Sequence, residues 1–290
     1  MIIQTPKGLL CFTFANMHFE FPAMLRLFLK RPRFHTHIVF YILVFMISCN
    51  SDRKKADVSQ VNVTVVANRF ENDLIKNIQH PSLLKQQYGS FFDLFTYQLL
   101  KLGTPDTVLL QSRLADFVQD PDISNILADT KKTFSDFTVV NEQLTDAFRH
   151  YKYYFPEKLI PRVVTYVSGF NYAVVCADSV LGLGLDMYLG SDSKYYPALQ
   201  LPEYKIRKMR KEYIVADAIR GWEQSEWESD PAQTDLLSQM ITLGKCQYFM
   251  DLLMPDASDT IKFGYTQKQM DWCLSSEKSI WSFFIDHKLL

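Results

Sequence analysis

Residues 162–186 constrain the fold more than any other stretch. They read RVVTYVSGFNYAVVCADSVLGLGLD, rich in β-branched and aromatic residues and broken at Gly169-Phe170-Asn171 and Asp178-Ser179. That pattern predicts short antiparallel strands joined by tight turns. In 180–186, Leu181, Leu183 and Leu185 share one face, and Gly182, Gly184 and Asp186 the other. A face carrying two glycines admits a close backbone or helix, so Gly182, Gly184 and Asp186 are expected to have structural roles. Beyond Pro202 the period becomes helical, with Ile206, Met209, Tyr213 and Ala216 on one stripe of a helix predicted from Glu203 to Trp222.

The N-terminal region is of another kind. From Met24, Arg26, Lys30, Arg31 and Arg33 precede a charge-free apolar run of ten residues, 38–47. Such a run is too short for a comfortable membrane span and has the length of a signal peptide. It ends in Met46-Ile47-Ser48-Cys49, similar to a bacterial lipobox, with Met46 where Leu is usual. The resemblance implies cleavage before Cys49 and lipidation of that cysteine. A plain secretory signal or signal anchor is the alternative. The expected organisation is a signal peptide over 1–48, with 1–23 upstream of a second start at Met24. A lipidated tether over 49–57 and a single globular domain over 58–290 follow.

Composition excludes one large class of partner. The chain has 290 residues, 48% hydrophobic and 22% charged, with a net charge of −1. Removing the five Lys/Arg and one Glu that precede Cys49 leaves 26 basic against 31 acidic residues, a net of −5. A mildly acidic domain without a basic stripe does not suit nucleic acid, where phosphate neutralisation supplies much of the affinity.

Val61, Val63 and Val65 alternate with polar residues and predict a first strand. Apolar stripes at Phe70, Leu74 and Ile78, and at Phe91, Phe92, Phe95, Leu99 and Leu102, then predict core-facing helices. Thr104-Pro105 and Asp120-Pro121 each place a capping side chain before a proline at the first helical position. Further on, Thr234 is the expected cap of a helix ending at Pro255, with Leu237, Met240, Ile241, Gly244 and Tyr248 as its stripe. Thr266 and Gln269 form a capping-box pair for a last helix carrying Trp281 and Phe284. The expected fold class is α+β, a mostly helical single domain with a small antiparallel or mixed sheet.

Four features in this order resemble the gliding motility lipoprotein GldB family of Bacteroidetes. They are the lipobox and the runs LGLGLDMYLGSDSKYYP, LPEYKIRKMRKEYIVADA and LLSQMITLGKCQYFMDLLMP. The resemblance implies an envelope lipoprotein required for gliding and the associated secretion machinery, anchored in the cell or outer membrane with its domain in the periplasm. Family members extend past the equivalent of His287–Leu290, which implies a C-terminal truncation here.

The order of strands, helix and second helix also looks like a zincin-type metallopeptidase, possession of whose metal would require two histidines one helical turn apart. The helix predicted from Glu203 has none, and after Cys49 only His80, His150 and His287 occur, far apart. If the layout is zincin-like, it is degenerate, and neither metal nor cofactor is expected. Asp178, Asp186 and Asp192 flank the glycine strand and are a weak candidate for a cation. Glu223, Glu226 and Glu228 suit a solvated face. Of Cys176, Cys246 and Cys273, the last two can bridge, though three free thiols is the preferred reading. The favoured function is a non-catalytic assembly component that binds envelope protein partners; the alternative is an envelope hydrolase such as a divergent metallopeptidase.

Overall fold

Loop and sheet order explain most of the architecture. The computed structural model describes residues 55–103, 107–227 and 235–289. Cys49, the Thr104-Pro105 cap, Glu228 and Thr234 lie outside the described residues.

Four strands form one mixed sheet in the order β1-β2-β4-β3, with β1 Asn68–Arg69, β2 Arg162–Tyr166, β3 Val174–Ala177 and β4 Val180–Gly184. β3 and β4 are an antiparallel hairpin whose turn holds Asp178 at a φ of 51°. Strand β2, however, pairs with β4 in parallel, Arg162 opposite Val180 and Tyr166 opposite Gly184. The purely antiparallel reading of 162–186 is therefore corrected. β4 is inserted between β2 and β3, so the connection over 167–173 must cross the C-terminal end of β4.

Two helical layers cover the sheet. One face, with Val164, Tyr166, Val175 and Val180, packs on α1 (Phe70–Lys76), α2 (Pro81–Tyr88), α3 (Ser90–Asp93) and α4 (Thr107–Gln119). α3 runs on into a π-helical turn, Leu94–Leu99. The predicted aromatic stripes meet here, with Phe70 4.8 Å from both Tyr88 and Phe95, edge to face. The other face, with Val163, Leu181 and Leu183, packs on α6 (Thr138–Tyr154) and on two later helices. α5 (Pro121–Thr133) starts at the Asp120 cap, whose carboxylate accepts from the Asp122 and Ile123 amides at 2.9 and 3.1 Å.

The helix expected over 203–222 is broken. A short α7 (Glu203–Ile206) and a 3-10 turn precede α8 (Ile214–Glu226), because Arg210 leaves helical geometry to bridge Leu189. Residues 61–65 are irregular, with the Val63 amide turned back on the Val61 carbonyl, and join no ladder. Helix α6 takes their hydrogen bonds instead: Thr145 Oγ1 accepts from the Val65 amide at 2.9 Å and Arg149 Nε donates to the Val63 carbonyl at 3.1 Å.

α9 (Leu236–Leu253) is capped by Asp235, and its buried residues are Cys246, Phe249, Met250 and Leu253. The stripe expected to face the core is turned outward: Leu237 and Ile241 are about half exposed and nothing lies within 4 Å of a Cβ placed on Gly244. Apolar and polar residues are interspersed round this helix rather than gathered on opposite sides, so periodicity did not select its inner face. A short α10 (Asp259–Phe263) leads to α11 (Gln267–Asp286), where the Thr266–Gln269 capping box is formed. No helix among the described residues is long and apolar enough to cross a membrane.

Candidate functional site

A groove lies beyond the C-terminal ends of the parallel strands β2 and β4, the position at which ligands recurrently bind in sheets with parallel strands. Its volume is about 680 Å³, within the range of small-ligand and side-chain pockets. One wall is the α4–α5 corner with Asp116, Phe117, Asp120, Asp122, Ile123 and Ile126. The opposite wall is Gly169 and Phe170 of the crossing loop with Lys194, Tyr195, Ala198 and Leu199.

The crossing loop is fixed from beneath. Gly169 and Phe170 have φ of 73° and 65°, a left-handed conformation that is unusual for an aromatic residue. Asp186, directly beyond the end of β4 and fully buried, compensates. Its Oδ2 accepts from the Ser168 amide at 3.1 Å and the Phe170 amide at 2.7 Å. Its Oδ1 is buried with no hydrogen-bond partner, as is Ser168 Oγ. Burial pushes the Asp186 carboxyl up to about 6, against the loop amides, which hold it down. Asn171 Nδ2 closes the loop with a 2.7 Å bond to the Ser168 carbonyl.

Gly184 of β4 sits where this loop passes over, and Gly182 sits under neighbouring side chains. A Cβ on Gly184 would stand 2.2 Å from the Tyr172 carbonyl oxygen, and one on Gly182 would stand 2.6 Å from Val175 Cγ2 and 3.1 Å from Phe91. The Tyr172 carbonyl also accepts from Tyr166 Oη at 2.8 Å.

On the far wall, Phe170 packs against Tyr195 and Tyr196 at 5.6 and 5.9 Å. Tyr196 Oη links the wall to the strand end, accepting from the Leu189 amide at 2.8 Å and donating to the Asp186 carbonyl at 2.9 Å. Tyr195 Oη donates to Asp129 at 2.7 Å, and Lys194 Nζ reaches the same carboxylate at 3.1 Å while lying 4.9 Å over the Tyr195 ring. The Tyr195 hydroxyl and the Lys194 ammonium hold the Asp129 carboxyl below its usual range.

The other residues singled out from sequence are dispersed. His80 precedes α2, His150 is buried in α6 with Nδ1 bonded to the Asp146 carbonyl, and His287 follows α11. Among the described residues no three His, Cys, Asp or Glu side chains gather into a metal-binding group. Asp178 lies at the opposite end of β4 from Asp186, so the proposed cation trio does not assemble.

The acidic end of α8 is not a solvated face. Glu223 is buried, and Glu226 accepts from Tyr151 Oη and pairs with Lys158. Cys176, Cys246 and Cys273 are free thiols; burial pushes Cys176 up to about 11 and Cys246 up to about 12, which leaves both as unreactive packing groups.

Sequence reasoning recognised Gly169-Phe170-Asn171 as a turn and Asp120 as a cap without joining them. Lys194 and Tyr195 fall in a run that carried the family resemblance and Asp116 and Phe117 in a predicted helix, but nothing in the sequence joined them, because the groove is assembled from three separated segments.

Fold and site together define an α+β domain with an open groove lined by Phe117, Phe170 and Tyr195 beyond the ends of its parallel strands. A model of the gliding motility protein GldB family matches residues 51–290, and the chain belongs to that family. Membership ties it to gliding motility. No curated protein and no solved structure matches the chain.

Proposed function

We propose that the chain is a lipid-anchored envelope component of the gliding motility and associated secretion machinery, acting by binding other proteins rather than by catalysis. The observation that carries the proposal is the family match, which begins at residue 51, two residues beyond Cys49 with its basic segment and ten-residue apolar run. Anchoring would proceed through acylation of Cys49, with the domain on a short polar tether facing the periplasm. The groove's construction supports a binding role. Asp186 braces the crossing loop before any ligand arrives, so little conformational entropy remains to be lost on association.

The test is crosslinking and affinity capture of the full-length tagged protein from the membrane fraction of gliding cells. Motility and secretion components should be recovered with it. Recovery of the chain alone, with a hydrolytic activity in the purified protein, would overturn the proposal in favour of the enzyme alternative.

A further inference from the structure

The groove joins an apolar floor to three carboxylates on one edge. Phe117, Ile123 and Phe170 are half-buried and line its base, while Asp116, Asp120 and Asp122 stand exposed on the α4–α5 corner. None of the three carboxylates has a Lys, Arg or His partner within 4 Å among the described residues. Asp120 spends one oxygen on the α5 cap. Among the described residues that line the groove the one cation is Lys194, which is engaged by Asp129 of α5 and by the Tyr195 ring. That contact shows how this surface holds an ammonium group: a carboxylate on one side and a ring face on the other, a combination that stabilises cations.

We propose that the groove receives a lysine- or arginine-bearing segment of a partner protein. Long basic side chains lay their alkyl stems on apolar surface and keep the charged head at a polar edge. Here Ile123, Phe117 and Phe170 offer the stem a dehydrated seat, and the three rim carboxylates meet the head. Charge complementarity of this kind sets specificity and association rate more than affinity. It selects against acidic segments and polyanions. A small hydrated cation would make no use of the floor, whereas a peptide uses floor and rim together. The inference rests on the binding role proposed above and specifies the chemistry of the partner.

The test uses the full-length protein in detergent and a fluorescent synthetic octapeptide alternating lysine with leucine, with Kd read by anisotropy. Three substitutions, Asp116→Asn, Asp120→Asn and Asp122→Asn, are combined; Asn caps helices as well as Asp does, so the melting temperature should hold. We expect Kd to weaken at least ten-fold. The same charge removal at Asp271, Glu277 and Asp286 on α11 should leave Kd within two-fold. A glutamate–leucine peptide should not bind, and spermidine should compete only at far higher concentration than the peptide. Equal weakening by the two triple variants, or competition by spermidine at peptide concentrations, would mean that the acidic surface is read without the groove and would overturn the proposal. Affinity capture with the rim variant separates the two readings. Partners that still co-purify leave the binding role standing while the groove assignment falls; partners absent even with the unsubstituted protein overturn the binding role itself.

Discussion

Replacing Gly184 by alanine should be the most damaging single-methyl addition in the sheet. Its φ of −79° suits any residue, so the penalty is one of space. The added carbon would lie 2.2 Å from the Tyr172 carbonyl, 1.2 Å short of the 3.4 Å at which ordinary contact begins. That carbonyl cannot retreat freely, because it accepts from the buried Tyr166 Oη, and the adjoining Ala173 carbonyl accepts from the Gly184 amide, both at 2.8 Å. Overpacking costs about 1–3 kcal/mol and a lost internal hydrogen bond about 1 more. We therefore expect a loss of about 3 kcal/mol, or roughly 6–12 °C in Tm for a domain of this size. Gly182→Ala meets side chains rather than backbone and should cost about 1–2 kcal/mol as Val175 and Phe91 shift. Gly244→Ala adds its methyl in open space within α9 and should stabilise by about 0.5–1 kcal/mol through helix propensity. Urea denaturation followed by circular dichroism measures all three. An unchanged midpoint for Gly184→Ala, or an order in which Gly182 is the more sensitive, would refute the crossing of the loop over the end of β4.

Asp186→Asn should flatten the dependence of stability on pH. A folded-state carboxyl at about 6 against an ordinary 3.8 binds its proton more tightly than in the unfolded chain. Its contribution is therefore fully present below pH 4 and is lost as pH rises through 6, a fall of about 3 kcal/mol; a parent and variant with parallel stability profiles between pH 4 and 7 would contradict this. Asp186→Ala should also cost about 2–4 kcal/mol at pH 5 by orphaning the Ser168 and Phe170 amides, read as a shifted urea midpoint. The purified protein should carry far less than one zinc per chain after dialysis, because its described histidines occupy separate elements, and a strong chelator should leave its melting curve in place; stoichiometric zinc with unfolding on removal would restore the metallopeptidase alternative.

What the sequence made legible was local. The Leu181-Gly182-Leu183-Gly184 alternation, the Asp120 cap and the Thr266–Gln269 capping box each depend on neighbours a few residues away, and each appears in the fold. The parallel β2–β4 pairing is non-local: the intervening β3 hairpin hides it, since a turn signal says nothing of which edge a strand joins. Val61–Val65 has the alternation of a strand, yet Thr145 and Arg149, some eighty residues away, take its backbone groups. The groove required α4, α5, the crossing loop and the segment around Tyr195 to meet, which no spacing within one element encodes. The strain at Phe170 was equally silent, because its support, Asp186, lies beyond the hairpin.

The anchor carries the central claim that this domain works in motility from a membrane surface. In gliding cells whose only copy bears Cys49→Ser, the chain should leave the membrane fraction, remain folded and fail to support gliding. A variant still held in the membrane fraction, or one that is released while the cells glide at the parental rate, would contradict it.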